Sequence, residues 1–131
     1  MKDPGKKQTN RMKIETHQIN DTKIAEVISE GTVINSVEDG LDLLGNLYYQ
    51  DFDKIIIHEK NVTPDFFDLK NRMAGEILQK FSNYRVRLAI VGDFSKYTSK
   101  SMNDFIYESN KGGFINFVNS QSEAVQVLSN L

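Results

Sequence analysis

Two stretches carry residues able to do chemistry. In "KIIIHEKN", residues 54–61, three isoleucines run into an imidazole, a carboxylate, an ammonium group and an amide. Imidazole titrates near neutrality, so His58 or Glu59 is a candidate general base, and Asn61 adds a hydrogen-bonding amide. In "GDFSKYTSKS", residues 92–101, Asp93 is followed by the hydroxyls of Ser95, Thr98 and Ser99, the ammonium groups of Lys96 and Lys100, and Tyr97. Hydroxyls, lysines and the free N–H groups of a following helix suit an anion such as phosphate. The glycine spacing of a Walker loop is absent.

Each stretch also has a plainer reading. His58 and Glu59 are consecutive at a strand end, so their side chains point to opposite faces and do not share one metal ion. The His-x-x-x-His spacing of a zinc protease is missing. The other histidine, His17, is distant in sequence. No metal site and no cofactor is expected, and His58 reads first as a hydrogen-bonded histidine at the polar rim of a strand. The serines and threonine of the second stretch can cap the helix they precede. Thr63-Pro64-Asp65 reads as an N-cap, a proline at the first helical position and a first-turn acid. Asp68 could instead cap a helix starting later. Glu108, Ser109 and Asn110 precede Lys111-Gly112-Gly113 and read as a helix ending.

The elements that must hold these residues follow from periodicity. "KIETHQIN" and "TKIAEVIS" alternate around Asn20-Asp21, the pattern of an antiparallel hairpin. Ser36 caps a helix over 36–50, with Val37, Leu41, Leu44 and Tyr48 on one face and Leu43 and Leu47 beside them. "KIIIHE" has no alternation and reads as a strand covered on both sides. A long helix carrying Phe66, Leu69, Met73, Ile77 and Phe81 then ends near Asn83. "RVRLAIVG" and "FINFV" are further strands, "SMNDFIYES" is a short helix, and Ser120 with Glu123 opens a last one. The order β-β-α-β-α-β-α-β-α predicts parallel pairing with right-handed crossovers and one sheet that is mixed at its hairpin end. The loops after parallel strands gather at one edge, where ligands bind in such sheets. "HEKN" and "GDFSKYTSKS" are expected side by side there.

Bulk properties narrow the function classes. The 131 residues suit one domain, and residues 1–11, "MKDPGKKQTNR", read as a disordered basic tail before a domain over 12–131. Removing that tail's four basic residues and one acid from the totals of 16 and 18 leaves 12 against 17, a net charge of −5. An acidic body without a basic stripe argues against a nucleic-acid groove. No apolar run approaches a membrane span. The absence of cysteine excludes disulfides and a thiol nucleophile and fits a cytoplasmic location.

The phrases "HEKN", "FFDLKNRMAGEILQKF", "GDFSKYTSKS" and "DFIYESN" resemble the signature of an uncharacterised bacterial family, domain of unknown function 4180. That resemblance covers most of residues 13–120 and implies no activity. The segment order is also similar to STAS domains, those of anti-sigma-factor antagonists. Their regulatory phosphoserine lies in an Asp-Ser-Ser-Gly at a helix start. Against that pattern Phe67-Asp68 matches Ile-Asp, while Leu69, Lys70 and Asn71 stand where Ser-Ser-Gly belongs, so the switch does not carry over.

The expectation is a STAS-like α/β domain with about five strands and helices packed against them. Its role is non-catalytic: it binds a protein partner or a small anionic ligand through His58, Glu59, Asn61, Asp93, Ser95, Lys96, Tyr97, Thr98 and Ser99. The alternative is a small enzyme for a phosphorylated or acyl substrate, with His58 or Glu59 as base and Lys96 as electrostatic stabiliser. In that case His58, Glu59 and Asp93 must converge on one cavity. The exposed hairpin edge is where a second copy would pair.

Overall fold

The computed structural model describes residues 12–129, so the expected basic tail at 1–11 lies outside the described residues. Strands β1 (Lys13–Ile19) and β2 (Thr22–Ile28) form the expected hairpin, with Asn20 taking a left-handed conformation (φ 54°) in its turn. Strands β3 (Lys54–His58), β4 (Arg87–Val91) and β5 (Ile115–Val118) follow in parallel, and the sheet order is β1-β2-β3-β4-β5. Sequential parallel order with right-handed crossovers sends every connecting helix to the same face. Those helices are α1 (Val37–Tyr49), α2 (Met73–Asn83) and α3 (Lys100–Gly112); α4 (Gln121–Ser129) follows β5.

Two apolar layers result. Ala25, Val27, Ile55, Ile57, Leu88 and Ile90 face α1, α2 and α3, while Ile24, Ile56, Ala89 and Val118 face Ala124 and Leu128 of α4. Strand β3 is therefore covered on both sides, which is why "III" shows no alternation. On α1 the buried face is Gly40, Leu43, Leu44 and Leu47, whereas Tyr48, expected on the inner face, is exposed and meets the Tyr84 ring edge-on at 5.3 Å. Gly40 lets α2 come close, because a Cβ there would lie 2.9 Å from the Ile77 side chain. Ser36 caps α1 as expected, its hydroxyl accepting from the Asp39 N–H.

The long helix expected up to Asn83 is broken. Its first half is a pair of 3-10 turns, Pro64–Phe67 and Leu69–Asn71, and only Met73–Asn83 is α-helical. Short polar side chains offer the backbone other partners here. Asp68 accepts from the Lys70 N–H, Asn71 accepts from the Met73 N–H, and Arg72 adopts a left-handed conformation (φ 66°). Phe66 and Phe67 still reach the core. Helix α3 runs through Glu108, Ser109 and Asn110 to Gly112, and Gly113 closes it with φ 83°, so the Gly112-Gly113 pair stops it as expected. Asn110 in its last turn accepts from the Phe117 N–H and donates to the Phe117 carbonyl, pairing the outer edge of β5. Among the described residues no helix is long and apolar enough to cross a membrane.

Ile56→Ala removes a fully buried side chain between the sheet and α4 and is expected to cost about 2–5 kcal/mol. A lowered urea midpoint with an unchanged m-value would report this. Tyr49→Ser, at a residue 89% exposed, should stay within about 0.5 kcal/mol of wild type.

Candidate functional site

At its end β3 sends consecutive side chains to opposite sides of the sheet, as its pleat requires. His58 turns to the α4 side, where Glu26 of β2 is buried at 4% exposure. His58 Nε2 lies 2.7 Å from Glu26 Oε2, and His17 Nε2 of β1 lies 2.7 Å from Glu26 Oε1. The Gln121 amide at the start of α4 donates to the same Oε1 at 3.1 Å. Burial pushes the Glu26 carboxyl up, but the hydrogen bonds from His58, His17 and Gln121 outweigh it and hold the group below its ordinary value. The carboxylate is thus ionised between two imidazoles. Distance in sequence misled here, since the hairpin folds His17 back beside the end of β3. The overlooked signal was Glu26 itself: it shares its strand face with Ile24 and Ile28, a charged residue where alternation calls for an apolar one.

Glu59 turns the other way, toward the loop after β4. The Tyr97 hydroxyl donates to Glu59 Oε2 at 2.8 Å, and Lys96 Nζ meets the same oxygen at 2.7 Å. The Tyr97 ring stacks on Phe67, with centroids 4.9 Å apart. Burial, then the Glu59 hydrogen bond and charge, push the Tyr97 hydroxyl far above its ordinary range, so it remains a donor. The two loops therefore lie side by side as expected, joined by a carboxylate bridge. Gly92 makes this approach possible: a Cβ there would fall 2.5 Å from Glu59 Oε1 and 2.7 Å from Glu59 Cβ.

A cavity of about 430 Å³ opens beside the bridge, lined by Thr32, Lys60, Val62, Pro64 and Phe67 together with Glu59, Lys96 and Tyr97. Its walls are apolar at Val62, Pro64 and Phe67 and polar at the loop side. A larger cavity, about 610 Å³, lies between α1, α2 and Phe105, but none of the candidate residues lines it.

The remaining candidates are occupied elsewhere. Asn61 is fully buried; its amide donates to the Ser29 and Gly31 carbonyls at 2.8 Å each, closing the loop after β2. Asp93 accepts from the Ser95 hydroxyl and N–H, and these bonds, aided by Lys96, lower its carboxyl below the ordinary range. Ser99 caps α3 by accepting from the Met102 N–H. Thr98 is exposed and outside the cavity wall. His58, Glu59 and Asp93 do not converge: of the three, only Glu59 lines the cavity.

The family model described as a domain of unknown function, DUF4180, matches residues 19–128. The chain belongs to that family. The DUF4180 match takes in Glu26, His58, Glu59, Lys96, Tyr97 and Gln121 and begins after His17. No curated protein and no solved structure matches the chain.

Gly92→Ala is expected to force Glu59 away from Tyr97 and Lys96 at about 1–3 kcal/mol, read from the urea midpoint. For Tyr97, the folded-state value lies above the ordinary 10.0. Its contribution to stability is therefore complete below pH 10 and is lost as the pH climbs through the raised value. The stability difference between wild type and Tyr97→Phe should accordingly shrink in alkaline solution, and a difference constant with pH would count against the Glu59 bond.

Proposed function

We propose that this domain is a binding module that takes a small anionic molecule in the cavity between the β3 and β4 loops. The observation that carries the reading is the Glu59 bridge. One carboxylate fixes Lys96 and Tyr97 against the end of β3, so the wall is ordered before any ligand arrives. Lys60 and Lys96 against Glu59 give the wall a net charge of +1 by that count, with Tyr97 neutral. The acidic group of a ligand would meet the two lysines, and its apolar part would lie against Val62, Pro64 and Phe67. A volume of about 430 Å³ is in the range of small-molecule sites.

The enzyme alternative has less to stand on. Glu59 Oε2 already receives a phenol and an ammonium group, which makes it a poor base, and His58 is held by Glu26 on the far side of the strand. Binding without a converged catalytic set suits a regulatory role, and the cysteine-free sequence suits the cytoplasm. The STAS-like kinship belongs to the same reading. The segment that would hold the switch, Leu69–Asn71, is a 3-10 turn without a hydroxyl, so regulation would pass through a bound ligand rather than phosphorylation.

Thermal-shift measurements with phosphate, nucleotides and small carboxylic acids test this directly. A ligand of the folded state present at a hundred times its Kd adds about 2.7 kcal/mol. Wild type should gain melting temperature with at least one such compound, and Lys96→Ala and Lys60→Ala should each reduce that gain. If no compound moves wild type, or both variants respond as wild type does, the proposal fails.

A further inference from the structure

A second site stands apart from the cavity and does not depend on it. Glu15 of β1 and Glu26 of β2 are register partners, two carboxylates directly opposite each other on one face of the hairpin. Like charges in that position destabilise a strand pair. His17, two residues along β1, projects on the same face and reaches Glu26. One donor atom from each of Glu15, His17 and Glu26 can be chosen so that all three lie within 4.8 Å of one another. We propose that Glu15, His17 and Glu26 bind a divalent first-row transition-metal ion, with His58 as the residue that positions Glu26.

The donor set argues for the class of ion. Two carboxylate oxygens and one imidazole nitrogen suit zinc, manganese, cobalt or iron(II). The cysteine-free sequence offers no thiolate to draw a softer ion. Tetrahedral ligands about 2 Å from zinc stand roughly 3.3 Å apart. His17 Nε2 and Glu26 Oε1, at 2.7 Å, would separate by about 0.6 Å to admit the ion, and the exposed Glu15 carboxylate, within 4.8 Å of both, would close in by up to about 1.5 Å. The ion would take the place of the His17 proton and neutralise the facing carboxylates.

Glu26 is already oriented for this task. Its second oxygen is held by His58 and its first by the Gln121 amide, the outer contacts that fix a ligating carboxylate. Three protein donors leave a fourth position open, and Glu15, exposed on β1, places that position at the surface. Metal binding would join β1 to β2 through its ligands and, through the residues holding Glu26, to β3 and α4.

The test uses the full chain, stripped with a chelator and then titrated with Zn²⁺, Mn²⁺ and Co²⁺ separately. Calorimetry should give one site per chain for at least one of these ions, with a raised melting temperature. If Co²⁺ binds, visible d–d bands should mark its nitrogen and oxygen ligands. Glu15→Gln, at an exposed position where folding is not at risk, and His17→Ala should each weaken binding by about a hundredfold or more, as expected for loss of a direct ligand. His58→Ala should weaken it by about 10- to 100-fold, the range for an outer partner, while the Co²⁺ bands keep their form. Absence of stoichiometric binding for all three ions would overturn the assignment. So would binding that Glu15→Gln and His17→Ala leave unchanged, which would place the ion elsewhere.

Discussion

Strand β3 lies between two apolar layers, and its side chains alternate between them. Ile55 and Ile57 enter the three-helix layer and Ile56 enters the α4 layer. That alternation continues past the last isoleucine and decides where the polar residues go. His58 follows Ile56 to the α4 side and meets Glu26; Glu59 follows Ile57 to the other side and meets Tyr97 and Lys96. Two separate polar clusters, each centred on a carboxylate, grow from adjacent residues because a strand has a period of two. A shift of one residue in β3 would exchange the two clusters and bury the wrong isoleucines, so the register with β4 specifies both at once.

Both carboxylates pay for their position with partners. Glu26 gives up most of its hydration and receives two imidazoles and an amide in return. Glu59 gives up less and receives a phenol and an ammonium group. The difference in partners follows the difference in burial, since a deeper charge needs more hydrogen bonds to stay ionised. Tyr97 shows the converse: a neutral donor beside a carboxylate in a half-buried place is held protonated.

Much of the fold was legible in the sequence. The turn at Asn20-Asp21, the Ser36 cap and the uninterrupted isoleucines each report a local constraint, and local constraints survive folding. The break before α2 was harder to see. Phe66, Leu69 and Met73 keep helical spacing, but Asp68 and Asn71 bond the backbone in 3-10 turns, and Phe66 and Phe67 are buried from those turns. The neighbouring "HEKN" and "GDFSKYTSKS" loops could be anticipated from parallel topology, while the Glu59–Tyr97 bond depends on which rotamers meet across them. The meeting of His17 and His58 was hidden for another reason: it passes through a third residue, Glu26, and its one trace in the sequence is that charge on an otherwise apolar strand face.

The contact of Asn110 with β5 bears on how far this sheet can extend. A parallel strand at a sheet border offers its outward N–H and C=O groups to any passing chain. Here one side-chain amide, reaching over from the last turn of α3, takes both groups of Phe117 and stands in for a sixth strand. At the opposite border, among the described residues, β1 pairs with β2 alone. Among the described residues the β5 border is thus capped at Phe117, and the β1 border carries no such cap. Copies that joined along their β1 borders would present only β5 borders outward, where the Asn110 side chain already occupies the Phe117 position that a further strand would need.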